Sequence, residues 1–394
     1  MPSGVKILAW ARAVRWIGWG FGEALIPVFI LMFSNTFAEM GLLASTVDIA
    51  SLVSLPIIGM WADRVPARKL ILWSLALYPL VGVSYYLAGV WGMAIFIVAA
   101  RAANGVTWEL ENVGIETYYR RAVDHERVAT SFGYVETWSH IAWITAALGG
   151  IVLLRFVSIP FLLLLIAPFA AIAYFMVLKA PKDPVEGEGR GRTPSLLGSY
   201  GKALGELRTW GGHLWLLGGM VMFSSVVSSL MYLFVPIDAY INGADLPMVV
   251  LVTVFGSLPA LFAYQLGKIA DAGDKYKVIS FSLLASAAVA VGLIIFPSYW
   301  FKLIAMFLMG IVLELLYVAQ GSLVTTLGPE ERYGERGSAF ESITVLGDLS
   351  APLLIGVAFD AVGFGTTLLS IALIAVIFGL VYRRLAAPSS RQGR

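Results

Sequence analysis

The sequence predicts an all-α membrane protein with twelve transmembrane helices arranged as two six-helix bundles. Three observations predict it: an apolar composition, twelve apolar stretches of spanning length, and an internal repeat that relates the two halves of the chain. Of 394 residues, 59% are hydrophobic and only 13% charged, with a mean hydropathy of +0.83. Soluble domains carry about 25% charged residues, so half the usual charge is missing. The 40 glycines and 17 prolines suit helices packed in lipid, where both residues are tolerated. This composition excludes a water-soluble globular enzyme, a disordered chain and a disulfide scaffold. The absence of cysteine removes thiol catalysis, thiolate metal sites and redox chemistry. A net charge of +2 gives a nucleic-acid partner no electrostatic support.

A hydrocarbon core of ~30 Å requires ~20 mostly apolar residues in a helix. Twelve stretches meet that length: 7–33, 37–61, 68–89, 91–116, 127–154, 157–178, 209–236, 246–267, 276–297, 299–326, 336–359 and 363–385. They are too long for barrel strands and show no period-2 alternation. The first is too long, and too charged within, for a cleavable signal peptide. The connections set the orientation. Of 27 Lys and Arg, 22 fall in the N-terminus, the even-numbered junctions, the central linker and the C-terminal tail. The opposite side holds only Arg155 and Lys302, while Arg12, Arg15 and Arg101 fall within helices. The bias places both termini and the linker in the cytoplasm of a multi-pass cell-membrane protein.

The chain divides once, into 1–178, a linker at 179–208, and 209–394. The linker holds 10 of the 52 charged residues, together with Pro181, Pro184, Pro194 and six glycines. Its end, with Leu196, Tyr200, Leu204 and Leu207 at helical spacing, predicts an amphipathic surface helix. The flanking halves repeat. At an offset of 208, Gly59 meets Gly267, Asp63 meets Asp271, Met40 meets Met248 and Phe132 meets Phe340; at 209, Pro27 meets Pro236. Two parallel six-helix repeats, related by an axis along the membrane normal, are a transporter plan with the substrate site near the midplane.

Between the second and third stretches runs GMWADRVPARK, with Gly59, Asp63, Arg64, Arg68 and Lys69. It resembles the G-x-x-x-D-R-x-G-R-[RK] loop signature of the major facilitator superfamily, with Pro66 and Ala67 departing from the pattern. A degenerate copy, GKIADAGDKYK, occupies the equivalent loop of the second half and contains Asp271. Arg101, Asn104 and Gly105 resemble the R-x-x-Q-G of helix 4 in that family, and the region from Pro329 resembles its helices 10 and 11. The glycine–proline motif of drug/proton antiporters is not met in the fifth stretch, where only Gly149-Gly150 stands, and is partly met in the eleventh by Gly347, Pro352 and Gly356. The resemblance implies a secondary transporter, closest in flavour to proton-coupled multidrug or solute transporters. It also implies that Gly59, Asp63, Arg64, Arg68, Lys69 and Asp271 form a conformational latch. A carboxylate such as Asp63 at a helix end can pair with cations or cap a neighbouring helix N-terminus.

Charges inside the spans cost ~2.5–3.5 kcal/mol each at the midplane on insertion scales, and default to functional candidates. Arg12, Arg15, Trp19 and Glu23 share one face of the first stretch. Asp48 lies mid-span in the second, and Arg101, Asn104 and Trp108 share a face of the fourth, followed by Glu109, Glu111 and Glu116. Glu136, His140 and Trp143 line the fifth; Glu314, Tyr317 and Gln320 lie in the tenth; Glu341, Thr344 and Asp348 lie in the eleventh. Arg12 and Arg15 are expected to snorkel to the cytoplasmic interface, and Glu109, Glu111 and Glu116 to sit near the aqueous end. Glu23 or Asp48 is a candidate ion-pair partner for Arg101. With three histidines in the chain, no metal cluster is expected.

The second half shows surplus carboxylate and, on this reading, no cation within its helices, which suits protons or organic cations and disfavours an anionic cargo. The expected proton-coupling residues are Glu314, assisted by Asp348, with Glu136, Glu23 and Asp48 behind them. The expected substrate-cavity residues are Trp19, Arg101, Asn104, Trp108, His140, Tyr317 and Glu341, with Trp138 and Trp143 as further aromatic faces. Glu314 lies about 15 residues into its helix, ~20 Å deep at ~1.5 Å per residue. Gly310 and Gly321 leave room beside it for substrate or a partner helix. No P-loop, H-E-x-x-H or G-x-S-x-G is present, so pumping by nucleotide hydrolysis and hydrolytic catalysis have no support. The expectation is a proton-coupled exporter of amphiphilic or cationic molecules, monomeric in the bilayer and without cofactor. A proton-coupled importer of a small metabolite is the alternative, and an intramembrane enzyme or receptor a third class.

Overall fold

The computed structural model describes residues 3–62, 64–122, 128–181, 212–326 and 333–386. Asp63, His125, most of the linker with its expected surface helix, and the end of the tail lie outside the described residues, as do the side chains of Asp271 and His213. Among the described residues every regular element is helical. The first half contains α1 (Ser3–Gly20, continued by Glu23–Leu25 and Ile26–Leu31), α2 (Phe37–Ala62), α3 (Ala67–Trp91), α4 (Ala94–Ala122), α5 (Val128–Leu153) and α6 (Ile159–Leu164 with Ile166–Val177). The second contains α7 (Gly212–Ser229, Leu230–Phe234 and Val235–Ile241) and α8 (Leu246–Ser257, Leu258–Phe262 and Ala263–Ala272). It continues with α9 (Lys275–Ile295), α10 (Tyr299–Thr326), α11 (Tyr333–Val362) and α12 (Phe364–Ala386). Nine of the described helical spans are long and apolar enough to cross a membrane, and Leu246–Phe262 is a shorter apolar one.

Prolines set the breaks. A proline cannot donate to the carbonyl four residues back, and its ring crowds that carbonyl. Pro27 acts this way on Glu23, where α1 tightens into a 3-10 turn and the Ile26 amide bonds the Glu23 carbonyl instead. Pro168 acts on Leu164, where α6 is interrupted, and Pro236 acts on Tyr232, inside the π-helical turn Leu230–Phe234 of α7. Polar side chains finish the ends. Asp245 accepts from the Met248 amide at 2.8 Å to start α8, and Asp274 from the Tyr276 amide at 2.9 Å to start α9. Gly92, at φ +66°, ends α3 in the left-handed conformation that glycine adopts without steric cost.

The chain forms two compact units, Met1–Phe33 with Leu43–Ser199, and Ser34–Leu42 with Tyr200–Arg394. In the first unit α1 packs on α5 and α6, and α3 on α4 and α6; Gly105 of α4 lies against the Val47 carbonyl of α2 with no room for a Cβ. In the second, α7 packs on α11, α9 on α10 and α12, and α8 on α10, where Gly310 meets the Gly256 carbonyl. The helix pairings α1–α5, α3–α4 and α3–α6 thus recur as α7–α11, α9–α10 and α9–α12. The short segment Ser34–Leu42 joins the second unit through Asp360, whose carboxylate accepts from the amides of Phe37 at 3.0 Å and Ala38 at 2.8 Å.

Candidate functional site

The first unit buries a charge network along α1. Arg15 is 1% exposed and Glu111 of α4 is 2% exposed; the Arg15 Nε lies 3.0 Å from Oε1 and 2.8 Å from Oε2 of Glu111. The Tyr78 hydroxyl of α3 donates to the same carboxylate at 3.1 Å. The Arg15 guanidinium stands 4.9 Å from the ring centroids of both Trp16 and Tyr78, so two aromatic faces and a carboxylate surround it. One turn earlier, Arg12 pairs with Glu136 of α5 at 3.0 Å. These contacts overturn two expectations. Arg12 and Arg15 do not snorkel, and Glu111 is not at an aqueous end, because each cation meets a carboxylate from a helix distant in sequence.

Several of the predicted residues lie around this network. The Trp143 indole donates to Glu23 at 2.5 Å, and Trp19 lies near that carboxylate. Trp19 packs edge-on to Tyr78 with centroids 6.4 Å apart. Trp16 stacks on His140 at 6.3 Å and meets Trp108 edge-on at 6.0 Å, while His140 Nδ1 lies 2.9 Å from the Glu136 carbonyl. Trp138 packs against Trp10 at 4.7 Å. Arg101 donates to the Ala44 carbonyl at 2.5 Å and makes no ion pair with Glu23. Asn104 is buried on α4, and Asp48 is half-buried on α2. Three donors in this region, Arg12 Nε, Arg15 Nη2 and Trp16 Nε1, are buried without an acceptor among the described residues.

In the second unit Tyr317, Gln320 and Gly321 of α10 and Glu341, Thr344 and Asp348 of α11 line a cavity of about 290 Å³, closed on the α7 side by Ser225. Gly321 has no atom within 4 Å of the position a Cβ would take, so it contributes open space, whereas Gly310 is a helix contact. Glu314 is half-buried one turn before Tyr317 and is not part of the cavity lining. Tyr317 lies within electrostatic reach of both Glu314 and Asp348. No Lys or Arg stands among the lining residues. A cation does occur inside a helix of this unit, contrary to expectation. Lys302 lies in the first turn of α10, 2% exposed, and pairs with Asp238 of α7 at 2.7 Å.

Around the loop signature, Arg68 donates its Nε to the Val177 carbonyl at 3.1 Å and its Nη2 to the Leu178 carbonyl, capping the end of α6. Arg121, which sequence reading passed over, does the same for α2 through the Ala62 carbonyl at 2.7 Å. Arg64 and Lys69 are exposed, and Gly59 and Gly267 have no atom within 4 Å of a built Cβ.

Paired helical repeats with buried charge and a polar cavity in a multi-pass membrane chain are the features of a membrane transporter. The chain belongs to the Major Facilitator Superfamily, whose family model matches residues 8–271 and 241–394. The fold is accordingly that of the superfamily, twelve helices in two bundles. It is similar to an uncharacterized MFS-type transporter of Escherichia coli O157:H7, YhhS, at 24% identity over 389 residues, covering 94% of this chain and 89% of the relative. Among solved structures it resembles the nucleoside transporter NupG, with a TM-score of 0.80 at 14% identity over 97% of this chain and 99% of the other. It also resembles a POT family transporter in complex with 5-aminolevulinic acid, with a TM-score of 0.76 at 12% identity over 98% and 96%. These likenesses show the fold, and the family gives the chain the role of a secondary transporter with a small-molecule cargo.

Proposed function

We propose that the protein is a proton-coupled exporter of amphiphilic or cationic small molecules, working by alternating access. In this reading it acts as a monomer in the cell membrane, with both termini cytoplasmic, and 1–178 and 209–394 are its two moving bundles. The observation that carries the reading is the cavity of the second unit, where Asp348 and Glu341 stand beside Tyr317 with no cation in the lining. A carboxylate there serves a proton or a cationic cargo, and each disfavours the other on the same site. Such mutual exclusion is the coupling that an antiporter requires. Glu314 carries the coupling proton, assisted by Asp348; Glu136, Glu23 and Asp48 are further carriers. Trp19, Arg101, Asn104, Trp108 and His140 are the cargo-contacting residues of the first bundle, Tyr317 and Glu341 those of the second, and Gly59, Asp63, Arg64, Arg68, Lys69 and Asp271 control the exchange of states.

Import of a small polar metabolite is the second reading, favoured by the acceptor-seeking Arg15 Nη2 and Trp16 Nε1 and by the nucleoside transporter among proteins of this fold. Glu314→Gln tests the coupling, because the amide keeps shape and hydrogen bonding but cannot exchange a proton. In proteoliposomes, gradient-driven flux is expected to collapse while gradient-independent exchange of cargo persists. Undiminished pH-driven accumulation would remove Glu314 from the mechanism and shift the role to Asp348, Glu136, Glu23 or Asp48.

A further inference from the structure

Glycine inside a helix is disfavoured relative to alanine, so each one that stands there calls for a cause. In the second unit close packing supplies it at Gly292, Gly310, Gly347 and Gly379, where a Cβ would come within 3.0 Å of a neighbouring helix. Gly321 of α10 has no such neighbour: nothing lies within 4 Å of its Cβ position, and it lines the cavity between α10 and α11. Side chains on a helix lean back over the turn before them, onto the residues three and four positions earlier. The residue four before Gly321 is Tyr317, which is 47% exposed and also part of the lining. A side chain at 321 would therefore cover the Tyr317 turn, and glycine leaves it open to the cavity. Tyr317 makes no ring contact among the described residues, unlike Trp16, Trp19 and Trp138 of the first unit, each of which meets another ring. Phe340 of α11 brings a second aromatic side chain to the same lining. The cavity thus joins uncovered aromatic surface to the carboxylates of Asp348 and Glu341.

We infer that this cavity selects cations built on a flat aromatic ring over saturated cations of the same carbon count and charge, with Gly321 as the specificity-determining residue. The inference rests on the proposed transport of cations and names the class of cation. The ring of the cargo lies against Tyr317 in the space that Gly321 leaves, and its charged group stays on the carboxylate side of the lining. Paired aromatic rings gain about two- to tenfold in affinity beyond what the area they bury supplies. A saturated ring of the same carbon count is thicker and carries more apolar surface, so the hydrophobic effect alone ranks the two the other way. A volume of about 290 Å³ lies at the low end of ligand cavities and suits one or two fused rings.

The test uses matched pairs, benzylammonium with cyclohexylmethylammonium and 2-phenylethylammonium with 2-cyclohexylethylammonium, titrated calorimetrically into the full-length protein in nanodiscs. Each aromatic ion is expected to bind about threefold or more tighter than its saturated partner. Gly321→Leu, which covers the Tyr317 turn, is expected to remove that preference, and Gly321→Ala to reduce it. Tyr317→Leu is expected to remove it as well, while Tyr317→Phe keeps the ring and retains it. The unsubstituted protein decides the question even if a variant fails to fold. Equal or reversed affinities within the pairs, with cargo still exchanging for protons, would overturn ring selectivity and leave proton-coupled export standing. An aromatic preference that Gly321→Leu leaves unchanged would overturn the role of Gly321. Preference for the aromatic ions without proton counterflow would uphold the ring site and overturn the export reading, and no binding of any of these ions would overturn both.

Discussion

Removing the carboxylate of Glu111 is the sharpest perturbation of the first unit. Both its oxygens are in use, at 2.8 and 3.0 Å from Arg15 Nε, with the Tyr78 hydroxyl 3.1 Å from one of them. Glu111→Ala leaves a guanidinium that is 1% exposed without its counter-charge. Breaking a buried pair from one side costs about 3–5 kcal/mol. The two ring contacts at 4.9 Å survive the change, and a desolvated cation–π contact is worth up to ~2 kcal/mol, which moves the expected loss toward about 3 kcal/mol. Removing both charges should cost far less, because an apolar pair of similar volume is often neutral or stabilising. Arg15→Met with Glu111→Leu removes both charges and leaves only the buried Tyr78 hydroxyl without its acceptor, so it is expected to lie about 1–2 kcal/mol below the parent and above Glu111→Ala, a strong non-additivity. Reversible unfolding in mixed micelles, titrated with a denaturing detergent, measures all three proteins. A loss below about 1 kcal/mol for Glu111→Ala, or a double variant no better than the single one, would refute the buried pair.

Two glycines of α10 should behave oppositely. Gly310→Ala places a Cβ 2.3 Å from the Gly256 carbonyl and should destabilise by about 1–3 kcal/mol, whereas Gly321→Ala meets nothing within 4 Å and should leave unfolding unchanged while narrowing the cavity; unfolding and binding measured side by side separate the two. At the loop signature, Asp63→Asn is expected to slow exchange between inward- and outward-open states while cargo binding at equilibrium is largely kept. Abolished binding with an unchanged rate per bound cargo would argue against the latch.

Much of the fold is legible in the sequence because helix length and proline position are local quantities. Each of the twelve apolar stretches contains helix, and the repeat survives in the backbone: α3 begins at Ala67 and α9 at Lys275, the 208-residue offset read from the loop signature. Pro27 and Pro236, matched at 209, both disturb the helical turn that precedes them. Partnerships between distant charges are a different matter. Arg12 and Arg15 stand near a chain end at the spacing of snorkelling residues, and nothing local reveals Glu111, 96 residues away, or Glu136. Lys302 next to Tyr299 and Trp300 has the composition of an interfacial turn, yet α7 brings Asp238 to cover it. In the second unit Tyr317, Glu341 and Asp348 were recognisable as intramembrane polar residues and do line one cavity.

The central claim is that cation movement and proton movement share one site. Its most direct test is a single proteoliposome recording in which a pH gradient is imposed and a fluorescent primary amine and lumenal pH are followed together. The account predicts amine accumulation driven by the gradient, and amine addition that moves protons in the opposite direction without any imposed gradient. Amine flux that leaves lumenal pH untouched, or that runs at the same rate with and without the gradient, would contradict it.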